Sequence, residues 1–349
     1  MSVPLSTPAF NLGTFSIAGC PPFAGLVAGN RVIALDAVKK VADAQGLPVT
    51  GTGSVLALLQ NWESNFSSLA KAVTLVDAND PAWAPVDALH VHAPVDLPRQ
   101  IFCTGANYFK HVVDLIVDLG AGATPGTEKM TPEELRTFAE NLMTERSRTG
   151  FPYVFSKVPS AVTGPFDPVI LPAISHKPDW ELELAVIIGK PARHVRREDA
   201  LSYIAGYSIA NDITSRDLIW CTKDNKAMGT DWISSKNSPT FLPFGPYLVP
   251  AAFVPKPQDL RITLKLNGKT MQDESTSDMI FDIARQIEYI SSRVQLWPGD
   301  VICTGSPAGN GTHYKRFLQE GDVMEGSITG LGMQRNPCVK EPTPGVNTA

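Results

Sequence analysis

The chain has little of what marks several common protein classes. It has five cysteines in 349 residues (Cys20, Cys103, Cys221, Cys303 and Cys338) and no Cys-x-x-Cys pair. An odd, scattered set argues against a disulfide framework or a structural zinc site. No apolar run approaches the roughly 20 residues that a spanning helix needs, and 184–189 is among the longest. The first Lys or Arg is Arg31, so the basic region of a signal or transit peptide is missing from the N-terminus, and a reducing, cytoplasmic setting is expected. Basic excess is absent too: 30 Lys and Arg stand against 35 Asp and Glu, a net charge of −5. That gives no electrostatic reason to expect a nucleic acid or an anionic membrane as partner. Internal repeats and low-complexity tracts are also lacking.

What is abundant is proline, 29 residues, together with 27 glycines. Proline at about 8% exceeds the usual share of roughly 5% and favours turns and strand ends over long helices, which excludes coiled coils and helical bundles. A hydrophobic fraction of 43% is enough for a sizeable core. The length suggests two domains. Residues 1–95 read as a small N-terminal scaffold in which Val55, Leu58, Leu59, Trp62, Phe66 and Leu69 fall at helical spacing. The proline-bearing stretch 81–99 reads as a linker. Residues 96–349 carry the chemistry.

Within that second part, 181–189 and 261–268 alternate or run apolar as strands do. Thr131-Pro132-Glu133-Glu134 is a capping box for a helix running to about Arg146. Ile280, Ile283, Ala284, Ile287 and Ile290 predict a second helix, with Thr276 or Ser277 as its cap. The sum is a strand-rich α+β chain.

The sharpest local feature is Trp180-Glu181-Leu182-Glu183-Leu184. In a strand, residues two apart share a face, so Glu181 and Glu183 lie side by side with the leucines opposite. Two adjacent carboxylates repel unless a cation or proton intervenes. A solvent-facing polar strand edge would explain them equally well. The next strand-like segment, 205–217, carries an apolar strand ending in Asn211-Asp212, which places Asp212 at a strand terminus where it can face the Glu pair. Three carboxylates without a convergent His or Cys suit Mg²⁺, Mn²⁺ or Ca²⁺. Alternatively, Asp212 caps a turn and pairs with Arg216.

These residues sit in a longer ordered series: Phe155-Ser156-Lys157, the Trp180–Leu184 run with VIIGK, and Ala205-Gly-Tyr through Asn211-Asp212 to Arg216-Asp217. Lys236, Thr240, Phe244-Gly-Pro246, Asn267-Gly268, Gln272, 296–309 and Glu320-Gly-Asp322 follow. Together with Gly105-Ala-Asn107-Tyr108 and His111, the series resembles the fumarylacetoacetate hydrolase family. The resemblance implies a mixed β-sandwich roll with a smaller N-terminal domain, usually as a homodimer. It implies a divalent metal, Mg²⁺ foremost, held by Glu181, Glu183 and Asp212, with Lys236 beside it. His111 becomes the candidate base on a lid within 105–153, and Asp114 its orienting carboxylate, at a spacing that puts both on one helix face. Asp114 departs from the glutamate more usual there.

Arg216, Ser306, Tyr108, Gln272 and Thr240 are the substrate-binding candidates, with Gln272 and Thr276 offering supporting hydrogen bonds. Ile219 stands where many members have Gln, which points to a different or less polar substrate end. The segment 118–153 is either a cover over the site or a dimer contact. The implied activity is metal-dependent hydrolysis of a C–C bond in a β-diketone or acylpyruvate-type 2-oxo acid. Decarboxylation, isomerisation or a hydratase or lyase step would use the same enolate chemistry. A metal-binding protein without turnover is the reading from a different class.

Overall fold

The computed structural model describes residues 9–342; the outer ends of both expected domains, 1–8 and 343–349, lie outside the described residues. Two extended β-sheets, a two-stranded pair formed by Pro178–Asp179 and Thr214–Ser215, and a set of helices make up the described fold, a strand-rich α+β arrangement as the sequence predicts. The larger sheet has twelve strands. At its centre the antiparallel strands Leu182–Ile188 and Ile204–Asn211 pair in register Leu182↔Asn211, and every one of their residues is buried. The smaller sheet has five strands, among them Arg261–Leu266, Lys269–Ser275, Val323–Ile328 and Gly332–Lys340.

The sheets meet tightly. A Cβ on Gly326 of the small sheet would lie 2.6 Å from Leu182 of the large one, a close approach that only glycine permits. Gln334 also reaches across, donating its amide to the carbonyls of Ile209, Pro243 and Gly245. Burial on both faces explains why 182–188 reads as a nearly continuous apolar run rather than a clean alternation.

The N-terminal strand Asn11–Ser16 joins the large sheet through Leu12↔Leu248, so the sheet runs on across residue 95. Phe10, Leu26 and Leu58 share one core with Val186, Ile209 and Ile302. The stretch 81–99 is correspondingly more than a tether. His90–His92 pairs with Asn11–Ser16, and Thr14 Oγ1 donates to the Pro94 carbonyl.

Two helical expectations are corrected. The residues from Val55 to Leu69 form two helices, Val55–Leu59 and Trp62–Ala72, because the buried Asn65 donates to the Leu58 carbonyl and thereby stabilises the break. The helix Ile283–Ser291 is capped by Asp282, whose Oδ1 accepts from Arg285 N at 2.7 Å. Thr276 and Ser277 lie in a separate turn, where the Thr276 hydroxyl is engaged by Leu260 N and the Pro257 carbonyl.

The helix Pro132–Thr149 has both halves of its capping box: Thr131 Oγ1 accepts from Glu134 N, and Thr131 N donates to Glu134. It packs beside the helix Phe109–Leu119 over a small separate core of Val112, Val113, Ala139, Met143, Ile280 and Phe281. No helix among the described residues is long and apolar enough to cross a membrane.

Candidate metal centre and active site

Strand pairing assembles the acidic group. Asn211 Oδ1 accepts from Glu181 N at 2.9 Å, and Asp212 N donates to the Glu181 carbonyl at 2.8 Å. The end of one strand is thereby locked against the start of its neighbour. Glu181, Glu183 and Asp212 are all buried, and one carboxylate oxygen from each lies within 4.8 Å of the other two. The alternative pairing of Asp212 with Arg216 is not what forms. Arg216 instead reaches Asp179 Oδ2 at 2.8 Å and Glu181 Oε1 at 2.5 Å.

Two buried lysines face the carboxylates. Lys236, at the end of the helix Trp232–Lys236, sets its Nζ 2.6 Å from Glu181 Oε2 and 2.5 Å from Asp212 Oδ2. Lys157, from the strand Tyr153–Lys157, donates to the Ile213 carbonyl and lies 2.7 Å from Asp212 Oδ1. That last contact is close but not aligned as a hydrogen bond, so Asp212 Oδ1 is buried without a hydrogen-bond partner. Glu183 accepts a hydrogen bond from Gly305 N at 2.7 Å, and no lysine or arginine is bonded to it.

The electrostatics divide the two glutamates. Burial pushes the Glu181 carboxyl up, but Arg216 and Lys236 overcome it and hold Glu181 well below the usual carboxylate range. Glu183 is driven well above that range, by burial first and then by the charge of Asp212. Burial opposes the charge on Lys236, and Asp212 and Glu181 more than restore it. A buried all-oxygen donor set with one orphaned carboxylate oxygen fits a hard divalent cation.

The other expected residues divide by location. Gln272 and Ser306 come together behind the Glu strand: Gln272 Nε2 donates to Ser306 Oγ and the Pro307 carbonyl, and its Oε1 accepts from Leu182 N. Tyr108 is fully buried and its hydroxyl is unpartnered, with burial and then the charge of Glu183 raising its pKa. Thr240 Oγ1 accepts from Ile170 N, a contact that ties two backbone segments together. Thr276 holds the turn described above. Ile219 is half-buried, and its carbonyl accepts from Asp231 N.

His111, half-buried on Phe109–Leu119, is close enough to Glu181 and Arg216 to feel both. Burial lowers its pKa to about 4, helped by Arg216 and opposed by Glu181 and Asp114. Asp114 lies on the same helix but pairs with Arg136 of Pro132–Thr149 at 3.0 Å, and no hydrogen bond joins it to His111. Both residues line a cavity of about 260 Å³.

Sequence reasoning gave no role to two residues of this network. Lys157 is fully enclosed against Asp212. Asp179 is buried and binds Arg216, Gly311 N and Thr312 N. A signal for Asp179 was present: the alternation that pairs Glu181 with Glu183 extends one step back to it.

The sheet-rich fold and its buried carboxylate–lysine group define the class of protein: the chain belongs to the fumarylacetoacetate hydrolase family. Residues 100–339 match the family model described as fumarylacetoacetate (FAA) hydrolase C-terminal. Similar full-length relatives include the human oxaloacetate tautomerase FAHD2B, mitochondrial, 34% identical over 322 residues, which cover 91% of this chain and 88% of the relative. A 2,4-didehydro-3-deoxy-L-rhamnonate hydrolase of Sphingomonas sp. (strain SKA58) is 43% identical over 187 residues, 53% of this chain and 64% of the relative. Among solved structures, the fumarylacetoacetate hydrolase of Exiguobacterium antarcticum aligns with TM-score 0.71 at 28% identity, covering 95% of this chain and all of that one. Maleylpyruvate hydrolase from Sphingobium sp. SYK-6, in complex with manganese (II) ion and pyruvate, aligns with TM-score 0.68 at 25% identity over the same shares.

Proposed function

We propose that this chain is a divalent-metal-dependent hydrolase that cleaves a C–C bond in a 2-oxo acid carrying a second carbonyl two carbons away. The observation that carries the reading is the buried group of Glu181, Glu183 and Asp212 with Lys236 against it. Glu181, Glu183 and Asp212 would hold the ion, Mg²⁺ or Mn²⁺, with Ca²⁺ a further candidate. The ion would supply Lewis acidity toward the substrate carbonyls. A solved structural relative carrying manganese and pyruvate and a hydrolase relative at 43% identity both support this chemistry.

The chain's own residues divide the remaining work. Lys236 provides a fixed ammonium that stabilises negative charge developing on the enolate leaving group. Arg216, held by Asp179 and Glu181, keeps one edge of its guanidinium for the substrate carboxylate. His111 is neutral at physiological pH and takes the proton from the attacking water. Asp114 stabilises the resulting imidazolium from the same helix face. Tyr108, Gln272 and Ser306 shape the floor. The active unit is proposed to be a homodimer acting on a small molecule.

A second reading, oxaloacetate tautomerisation, is favoured by the full-length similarity to the human tautomerase. It needs the same enolate stabilisation and a base, but no attacking water. One experiment separates them: the ultraviolet absorbance of acylpyruvates and of oxaloacetate is followed with Mg²⁺, with Mn²⁺ and after chelation. Metal-dependent loss of the acylpyruvate chromophore with formation of pyruvate supports the hydrolase. Equilibration of keto and enol oxaloacetate without acylpyruvate cleavage supports the tautomerase and sinks the first reading.

A further inference from the structure

The helix Phe109–Leu119, which carries His111, starts without a cap of its own. Its N-cap residue is Tyr108, whose side chain makes no capping bond, and its first turn holds no acidic residue. The free amides of a helix start need an acceptor, and the helix dipole favours a negative one. Asp278 supplies it from 168 positions along the chain: its Oδ2 accepts from Lys110 N at 3.0 Å.

Asp278 is itself held in place. It closes the turn Thr276–Asp278, which Thr276 pins through Leu260 N and the Pro257 carbonyl. The residues that follow are bound to the start of the helix. Met279 bridges to Tyr108, Ile280 N donates to the Asn107 carbonyl at 2.7 Å, and Phe281 N donates to Asn107 Oδ1 at 2.9 Å. Asn107 also donates to the Thr304 carbonyl at 2.7 Å, next to the Gly305 amide that donates to Glu183. One hydrogen-bonded frame thus joins the helix start to the metal carboxylates, and Asp278 is the member of it that reaches the turn bearing His111.

We propose that Asp278 is a positioning residue for His111: its carboxylate caps the helix that carries the base and fixes where the imidazole stands. His111 directly follows Lys110, so a first turn that frays takes the imidazole with it. Protonation of Asp278 removes the charge that the helix dipole favours and weakens the cap. From the helix side Asp278 faces Lys110, Asp114 and the Tyr108 phenol, and from the strand Lys269–Ser275 it faces Glu274. Its other side opens on a cavity of about 770 Å³ whose walls bear Arg148, Arg197, Asp282 and Arg285. Arg197 pairs with Asp282, Arg285 donates to the Ser147 and Gly150 carbonyls, and Arg148 lies 3.9 Å from Glu145. Burial, with Glu274 and Asp114, raises the Asp278 carboxyl to about 6 against the pull of Lys110. The cap therefore loosens as the pH falls through about 6, above the value of about 4 at which His111 itself takes a proton. The inference rests on the hydrolase reading for the role of His111 as base, whereas the cap is observable without turnover.

The test compares Asp278→Ala and Asp278→Asn with the parent, all loaded with Mn²⁺, by amide hydrogen exchange and by acylpyruvate cleavage between about pH 5 and about pH 8. Asp278→Ala should lower kcat at least about tenfold, with KM and Mn²⁺ affinity near parental values, and strip exchange protection from the amides of residues 110–113. Asp278→Asn keeps an acceptor and should recover most of both at neutral pH. It should also lose the acid limb that the parent shows near pH 6. Parental kcat in Asp278→Ala overturns the inference, and so does an acid limb near pH 6 that Asp278→Asn keeps. If Asp278→Ala does not fold, the pH dependence of Asp278→Asn decides alone. Exchange protection that follows Asp278 in a protein that cleaves no acylpyruvate upholds the cap and sinks the hydrolase reading. Cleavage indifferent to Asp278 does the reverse, and absence of both effects overturns both.

Discussion

The carboxylate group and the helix pair beside it are built on opposite plans. Glu181, Glu183, Asp212, Lys157 and Lys236 are buried and held by strand register, by backbone hydrogen bonds and by one another. His111 and Asp114 are half-buried on a helix that rests on a six-residue core and a few partly exposed side-chain pairs, Asp114 with Arg136 among them. The first region fixes charge where no solvent competes, so each of its side chains is structural as well as chemical. The second carries the group proposed to meet water and substrate, and its packing is thin. The proposed function asks rigidity of the one and access of the other.

The most damaging break should therefore fall in the strands. Asp212→Asn removes the partner of two buried ammonium groups. It should cost about 3–5 kcal/mol in stability and abolish Mn²⁺ binding, as read by urea denaturation and by calorimetry. A variant as stable as the parent would show that the lysines are compensated elsewhere.

His111→Ala, by contrast, should lower turnover by roughly 10²–10⁴-fold while metal affinity and stability stay at parental values. Intact turnover would remove His111 from the chemistry. Arg136→Ala sharpens the comparison further. An exposed pair is worth about 0–1 kcal/mol, so the melting temperature should barely move while the pH dependence of turnover changes through Asp114. A large loss of stability would instead make the Pro132–Thr149 helix part of the rigid region.

The smallest effect concerns acid. His111 has a folded pKa of about 4 against an ordinary value of 6.5. The unfolded chain therefore takes up this proton first, and stability from His111 is complete above pH 6.5 and declines as the pH falls from 6.5 toward 4. His111→Phe should flatten that part of the stability–pH curve, as followed by denaturation at stepped pH.

Much of the rigid region was legible in the sequence because strand chemistry is local. The two-residue alternation of Glu181 and Glu183 and the strand-terminal position of Asp212 needed only a period and a turn. Lys157 was not legible as a site residue, because its contact with Asp212 spans distant strands whose adjacency only the sheet order reveals. The break at Gln60 and Asn61 was hidden for a similar reason: it depends on one buried amide, while the apolar spacing continues through it. The Asp114–Arg136 pair was out of reach because helical spacing places Asp114 near His111 but cannot say which more distant cation comes to it. The apparent linker at 81–99 misled because proline marks irregular backbone whether that backbone is loose or, as here, laid along a sheet.

The uneven environment of the two glutamates has a consequence for loading the ion. Glu181 and Asp212 are met by ammonium or guanidinium groups, whereas Glu183 is bonded only to a backbone amide, and burial together with the charge of Asp212 disfavours its ionised form. A dication that engages all three competes with protons for them, most of all at Glu183, so metal uptake has the character of an exchange. Its apparent affinity should rise with pH. The heat of binding, measured in buffers of different ionisation enthalpy, should report protons released as the ion binds; a buffer-independent heat would show Glu183 already ionised.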